Sequence, residues 1–374
     1  MEFFHSIPNA VKYPICILFI LTFLIFIFFS FSPVFGAPPD RNSRVIIENS
    51  ENFVAGKFLN LKSNYTNTSS LSPFPTGSTL MSWISPPRDK NPIASLPTIQ
   101  FHGNTLTEGK FVWLGHSTLL MNTAGLIVMT DPVFNRASPA PIFGKPFAYE
   151  NPINIDDLPK VNAVIISHDH YDHLDSKAIK DLSKIVDRFF VPLGIKAHLE
   201  RWGVDTDRIS ELDWHESENY KGVEFTLTPA QHFSGRAPGK TNSTLWGSWI
   251  VSSEKVKVYF SGDGGYSETF GELGDRYGPF DIAFVEGGAY NADWSKVHVF
   301  PNETVQASID LKANVLFPIH WSKFDLSIHP WDEPIIHITK EASRRNIKIT
   351  TPMIGEVFDL TNLPNHPWRE ALRN

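Results

Sequence analysis

Apolar residues run without a single charge from Pro14 to Phe31, PICILFILTFLIFIFFSF. A run of that length predicts a helix apolar on every side and long enough to cross a bilayer. A retained anchor is expected over a cleaved signal peptide, because SPVFGAPPD offers a poor small-residue pattern for a break after Gly36, with Pro38 close behind. Residues 1–36 therefore form a first segment. From 37 to 98 the chain is rich in Pro, Ser and Asn, as in NLKSNYTNTSSLSPFPTGSTL, which predicts a linker and wrapping arm.

The remainder, 99–374, alternates strand-like and helix-like patterns. KFVWLGHSTLLMNTAGLIVMTDP predicts two strands around a turn near Asn122–Gly125, and VNAVIIS a buried strand. SKAIKDLSKIV places Ile179, Leu182, Ile185 and Val186 on one helical face, with Asp175 or Ser176 as N-cap. Further strands are expected in VEFTLTPAQH, which alternates Val223, Phe225 and Leu227, in KVKVYFSGDGG and in ANVLFPIH.

Composition narrows the function classes. With 42% hydrophobic and 20% charged residues the chain can bury a large core. A net charge of −7 and the absence of long Lys/Arg runs give no reason to expect nucleic acid as a partner. The one cysteine, Cys16, lies in the apolar run, so the body has neither disulfides nor thiolate ligands.

The chemistry collects at strand ends. ISHDHYDHLD places His168, Asp169, His170, Asp172, His173 and Asp175 in a loop between a strand and a helix, and three other strands end at His232, Asp263 and His320. A lone His or Asp at a strand end is usually a cap or a surface residue. Three imidazoles and a carboxylate within six residues have no packing rationale, since like ligands are costly to gather without a cation. His168 and His170, two apart, can point to one side and be joined by His232, while Asp172 and His173 turn to a second position that His320 can complete. Asp263, flanked by glycines in SGDGG, can bridge the two through its two oxygens. Asp169 and Tyr171 alternate with the ligands and should face away, and Asp131 and Asp175 are candidate acceptors for ligand N–H groups.

The H-x-H-x-D-H motif from His168 to His173, followed by isolated His, Asp and His, resembles the metallo-β-lactamase superfamily. WLGHSTLL, TDPVF, TPAQHFSGR, GDGGY, RYGPFDIA and PIHW, in that order, are similar to its N-acylphosphatidylethanolamine-hydrolysing phospholipase D branch over roughly 110–330. The resemblance implies an α/β fold, an αβ/βα sandwich of two mixed β-sheets flanked by helices. It implies two zinc ions per chain, ahead of iron or manganese, held by His168, His170 and His232, by Asp172, His173 and His320, and by Asp263 between them. The implied reaction is hydrolysis of N-acylphosphatidylethanolamine-type phospholipids to N-acylethanolamine and phosphatidic acid by a metal-bridging hydroxide.

Asp172, Asp263 and His298 are then the expected catalytic residues, and Arg236, His298 and Glu286 the expected substrate contacts. His116 falls at a site-edge position, and Trp202, Trp214, Trp246, Trp249 and Trp294 are candidates for an acyl groove. The partners implied are a membrane phospholipid, the bilayer through the N-terminal segment and a second copy in a homodimer. The catalytic part is expected outside the cytoplasm. Two alternatives stand beside this reading: a same-fold hydrolase of a small soluble phosphorylated lactone or ester, and a non-catalytic metal-binding envelope protein.

Overall fold

The computed structural model describes residues 9–61 and 77–372. Residues 62–76 of the expected linker lie outside them. Two mixed sheets stack face to face, as expected. In the first, strands Lys110–Trp113, Leu119–Thr123 and Leu126–Thr130 run antiparallel and continue in parallel through Val161–Ile165, Val186–Pro192 and Ile209–Leu212. Val357–Asp359 closes its other edge. The second sheet runs from Ser217–Tyr220 through Val223–Thr228, Ser248–Ser252 and Lys257–Phe260 in antiparallel pairs, then in parallel through Ile282–Glu286 and Leu316–Ile319.

Period-two alternation sorts the side chains into layers. Val258 and Phe260 face the inter-sheet core with Phe111, Phe190, Phe225, Trp249 and Phe317, whereas Tyr259 between them packs outward beneath helices Thr269–Tyr277, Pro301–Asp310 and Glu333–Arg344. On the other sheet Phe189 and Val191 face outward under helices Ser176–Leu182 and Lys196–Arg201. Each such side chain, fully buried, contributes about 1.5–3 kcal/mol relative to exposure.

The expected helix after the histidine cluster is shorter than its periodicity suggested. It ends at Leu182, and Val186 opens the strand VDRFFVP, whose β-branched and aromatic residues pair with Val161–Ile165. Asp175 is the N-cap, accepting from the amides of Lys177 and Ala178. Four of the five tryptophans proposed for an acyl groove are core residues. Trp202, Trp214, Trp246 and Trp249 are buried and donate their indole N–H groups to main-chain carbonyls. Trp294 is half-buried and does the same toward Ala289.

The N-terminal helix spans Asn9–Phe31, and most of its Tyr13–Phe31 stretch stands clear of the body, touching it only at its end, where Phe28 and Phe29 meet Phe35 and the Phe31 carbonyl accepts from Arg201. Its exposed phenylalanines and leucines point in every direction, which fits a membrane anchor or a signal segment. The next residues are not a loose tether. Phe35 is buried, helix Arg41–Asn49 inserts Ile47, and a two-residue-strand hairpin inserts Phe58 into the inter-sheet core. The described residues of the wrapping arm up to Asn60 are therefore part of the body.

Candidate metal centre

All seven residues expected as ligands meet at one edge of the sandwich, where parallel strands of both sheets end. The strand Val161–Ile165 delivers the loop 168–173, Lys257–Phe260 delivers Asp263, and Leu316–Ile319 delivers His320. The ring nitrogens of His168, His170 and His232 converge: His170 Nδ1 lies 2.9 Å from His168 Nε2 and 3.3 Å from His232 Nε2. Asp172, His173 and His320 form a second group, with Asp172 Oδ2 3.5 Å from His173 Nε2 and 3.3 Å from His320 Nε2. His116 joins this group, its Nε2 3.2 Å from the same oxygen, so it sits deeper than the edge position expected.

Asp263 stands between the two groups. Its Oδ1 is 3.1 Å from His173 Nε2, and its Oδ2 is 3.0 Å from His320 Nε2 and 3.9 Å from both His168 Nε2 and His232 Nε2.

The residues behind the ligands set their tautomers. Ser167 Oγ spends its one proton on Asp131 Oδ2 at 2.5 Å, so it accepts from His168 Nδ1 at 2.8 Å and leaves Nε2 with a free lone pair. Asp131 also holds His173 Nδ1 at 2.7 Å, and His232 Nδ1 donates to the Val297 carbonyl at 3.1 Å. Asp131 thus fills the role expected of it. Asp175 does not: its oxygens take the amides of Lys177, Ala178, Phe134 and Asn135, so it fastens two loops and touches no ligand ring. Ser167 and the Val297 carbonyl were not anticipated, since serine and a main-chain oxygen carry no distinguishing pattern.

Two expected substrate contacts are committed elsewhere. Arg236 is buried and donates from Nε to Val34 O at 2.7 Å and from Nη1 to Asp169 O at 2.8 Å and Leu174 O at 2.7 Å. It joins the segment after the N-terminal helix to both ends of the ligand loop. Glu286 ends a buried strand, where Oε1 holds His298 Nδ1 at 2.5 Å and Oε2 accepts from Gly264 N at 3.0 Å. It braces His298 and the Asp263 turn from behind. His298 keeps its place at the site, its ring 5.6 Å from that of His232 and 5.4 Å from that of His320. As expected, Asp169 and Tyr171 face away, toward Gly235 and the Arg236 carbonyl.

Burial pushes His168 and His232 well below the usual imidazole range. It opposes ionisation of Asp172 and Asp263 too, but His173 and His320 overcome it and hold both carboxyls well below the usual carboxylate range. The site is thus a buried set of carboxylates and imidazoles, with His173 and His320 raised above the imidazole range by the carboxylates they face. His173 Nε2 and Asp263 Oδ1 lie 3.1 Å apart without good hydrogen-bond geometry, a pair of atoms that a cation between them would serve better. Tetrahedral zinc, at about 2.0–2.1 Å from each nitrogen, would space imidazole donors about 3.3 Å apart, which the triad His168, His170 and His232 nearly matches. The donor set fits metal.

A β-lactamase superfamily domain matches residues 127–321. The chain belongs to the metallo-β-lactamase superfamily. It is 31% identical over 290 residues to N-acyl-phosphatidylethanolamine-hydrolyzing phospholipase D 1 of Caenorhabditis elegans, covering 72% of this chain and 81% of that one. It is 41% identical over 262 residues to an uncharacterized protein of Mycobacterium tuberculosis, covering 68% and 70%. Igni18, a metallo hydrolase of the archaeon Ignicoccus hospitalis, shares the fold at a TM-score of 0.52 and 20% identity, over 67% of this chain and 97% of that one. The protein is a metal-dependent hydrolase.

Proposed function

We propose that this hydrolase is a zinc-dependent phosphodiesterase of membranes, cleaving N-acylphosphatidylethanolamine-type phospholipids into N-acylethanolamine and phosphatidic acid. The observation that carries the reading is Asp263, whose Oδ2 lies 3.0 Å from His320 Nε2 of one ligand group and 3.9 Å from His168 Nε2 and His232 Nε2 of the other, while its Oδ1 lies 3.1 Å from His173 Nε2. That arrangement suits a pair of ions, His168, His170 and His232 holding one, Asp172, His173 and His320 the other, and Asp263 both. When bound, two zinc ions supply an activated water and neutralise charge on phosphoryl oxygens. The C. elegans relative named for this lipid, and an apolar N-terminal helix that would keep the enzyme beside its substrate, favour a phospholipid over a small soluble ester.

The chain's own residues supply orientation and protons. Asp131, Ser167 and Val297 fix the ligand rings, as described. Burial would keep His298 neutral, but the Glu286 carboxylate outweighs it and raises the imidazole above its ordinary value. With Nδ1 held by Glu286, His298 can give a proton from Nε2 to the oxygen that leaves with the ethanolamine. The P–O bond on the headgroup side breaks, water adds to phosphorus, and phosphate stays with the diacylglycerol.

The test is metal analysis of the purified chain together with turnover of N-acylphosphatidylethanolamine in mixed micelles and mass analysis of the products. About two zincs per chain with release of N-acylethanolamine is the expected result. Two zincs without lipid turnover would refute the substrate and leave the hydrolase.

A further inference from the structure

A second cavity, of about 420 Å³, opens beside the point where the chain leaves the N-terminal helix. Val34, three residues beyond the last helical residue Phe31, forms one wall, and Tyr171 and Leu174 of the ligand loop form another. Arg136, Lys145 and Lys177 rim it. The carboxylate in its lining, Asp175, is already saturated by four main-chain amides and the side chain of Asn135. The Arg136 guanidinium donates to the Phe143 carbonyl, and among the described residues none of the three cations forms an ion pair. Three uncompensated cations therefore ring one cavity in a protein of net charge −7.

The loop carrying Arg136 and Lys145 turns at Ile142 and Phe143, which are 77% and 64% exposed. Apolar side chains at the tip of a loop, basic ones behind them and a membrane-length helix ending alongside are the parts of an interfacial anchor. A helix ending at Phe31 would put Val34 at headgroup depth, so the cavity lies where phosphates do.

We propose that this cavity binds the phosphate of an anionic phospholipid of the host bilayer, with Ile142 and Phe143 inserted among the acyl chains. The site is separate from the metal centre. It would seat the body on the membrane with the ligand loop toward the lipid, and it rests on the reading of the N-terminal helix as membrane-embedded. Each basic residue at an anionic surface favours docking by about fivefold, so the three together favour it by about a hundredfold.

The experiment uses the full chain with Cys16→Ser and Ile142→Cys, labelled at position 142 with a polarity-sensitive fluorophore and reconstituted in nanodiscs. Discs of pure phosphatidylcholine are compared with discs containing phosphatidylglycerol. An apolar shift in the anionic discs only, reversed by high salt and lost in Arg136→Gln/Lys145→Gln/Lys177→Gln, is expected. The same emission in both discs, or a shift that survives the triple substitution, would overturn the proposal. Inorganic phosphate added to the neutral discs should leave the emission unchanged; a shift there would assign the cavity to free anions instead. Flotation of the chain with neutral vesicles checks the embedded helix separately, so failure of the anchor reading is distinguishable from failure of the lipid site.

Discussion

Replacing Arg236 by methionine tests whether the membrane-proximal segment and the metal loop are mechanically one unit. The guanidinium is 3% exposed and lies 4.4 Å and 4.8 Å from the ring centroids of Tyr171 and Trp202. Methionine fills much of that space but donates nothing, so the carbonyls of Val34, Asp169 and Leu174 lose their partner. Each unmet buried carbonyl costs about 1–3 kcal/mol. Against this stands relief of burying a cation, the same cost that lowers the Arg236 pKa. A net loss of about 3 kcal/mol is expected, a fall in Tm of about 4–5 °C for a body of this size.

Because two of those carbonyls bracket His170, Asp172 and His173, metal affinity should fall as well, by about 10–100-fold. Thermal unfolding in micelles and chelator competition read the two effects. If Arg236 instead binds substrate phosphate, the methionine variant will raise KM while stability and metal content stay unchanged. That result would refute the clamp.

Four other outcomes are expected. Asp263→Ala should leave the purified chain with less than its full metal content by mass spectrometry and with almost no turnover; full metal with retained activity would contradict the bridging assignment. Asp131→Asn, which keeps the shape but weakens the hold on His173, should lower metal affinity by about 10–100-fold in chelator competition. A chain starting at Ser32 gives up only the Phe28 and Phe29 contacts with Phe35 and the Phe31 carbonyl held by Arg201, and should keep a higher Tm than one starting at Ala37, which also strands the donors of Trp202 and Arg236 and should lose about a further 1–3 kcal/mol. Burial lowers the Lys323 ammonium from 10.5 to about 7, so the unfolded chain binds the extra proton between those values, and the Lys323 contribution to stability should rise by about 2–3 kcal/mol from pH 7 to pH 9, read as the pH-dependent difference between the chain and Lys323→Met in urea titrations.

What could be read from the sequence divides by the distance over which each contact acts. His168, His170, Asp172 and His173 announce themselves because one loop carries them at a spacing that packing does not explain, and His232, Asp263 and His320 follow because each closes an alternating apolar run. The layers were legible for the same reason: Val223, Phe225 and Leu227 all face the inter-sheet core. The helix after the cluster was overextended because Ile185 and Val186 suit a helical face and a strand equally, and only pairing with Val161–Ile165 decides between them.

The supports of the site escaped because they act across the chain. Arg236 reaches Val34 over 202 positions, and Asn60 of the wrapping arm binds the main chain of His232 over 172. No local pattern distinguishes such an arginine from one that meets substrate, since either would sit four residues after the ligand His232 and carry the same charge. The distinction lies in burial and in carbonyl acceptors contributed by distant segments. The polar run from 37 onward misleads in the same way. Proline, serine and asparagine signal a lack of regular pairing, yet Phe58 enters the core and Asn60 latches a ligand loop, so few apolar residues suffice to dock a segment when its polar ones find main-chain partners. For this hydrolase the stretch between the apolar helix and the body is thus a structural element behind the metal centre, and truncations that treat it as a tether should disturb the site they aim to isolate.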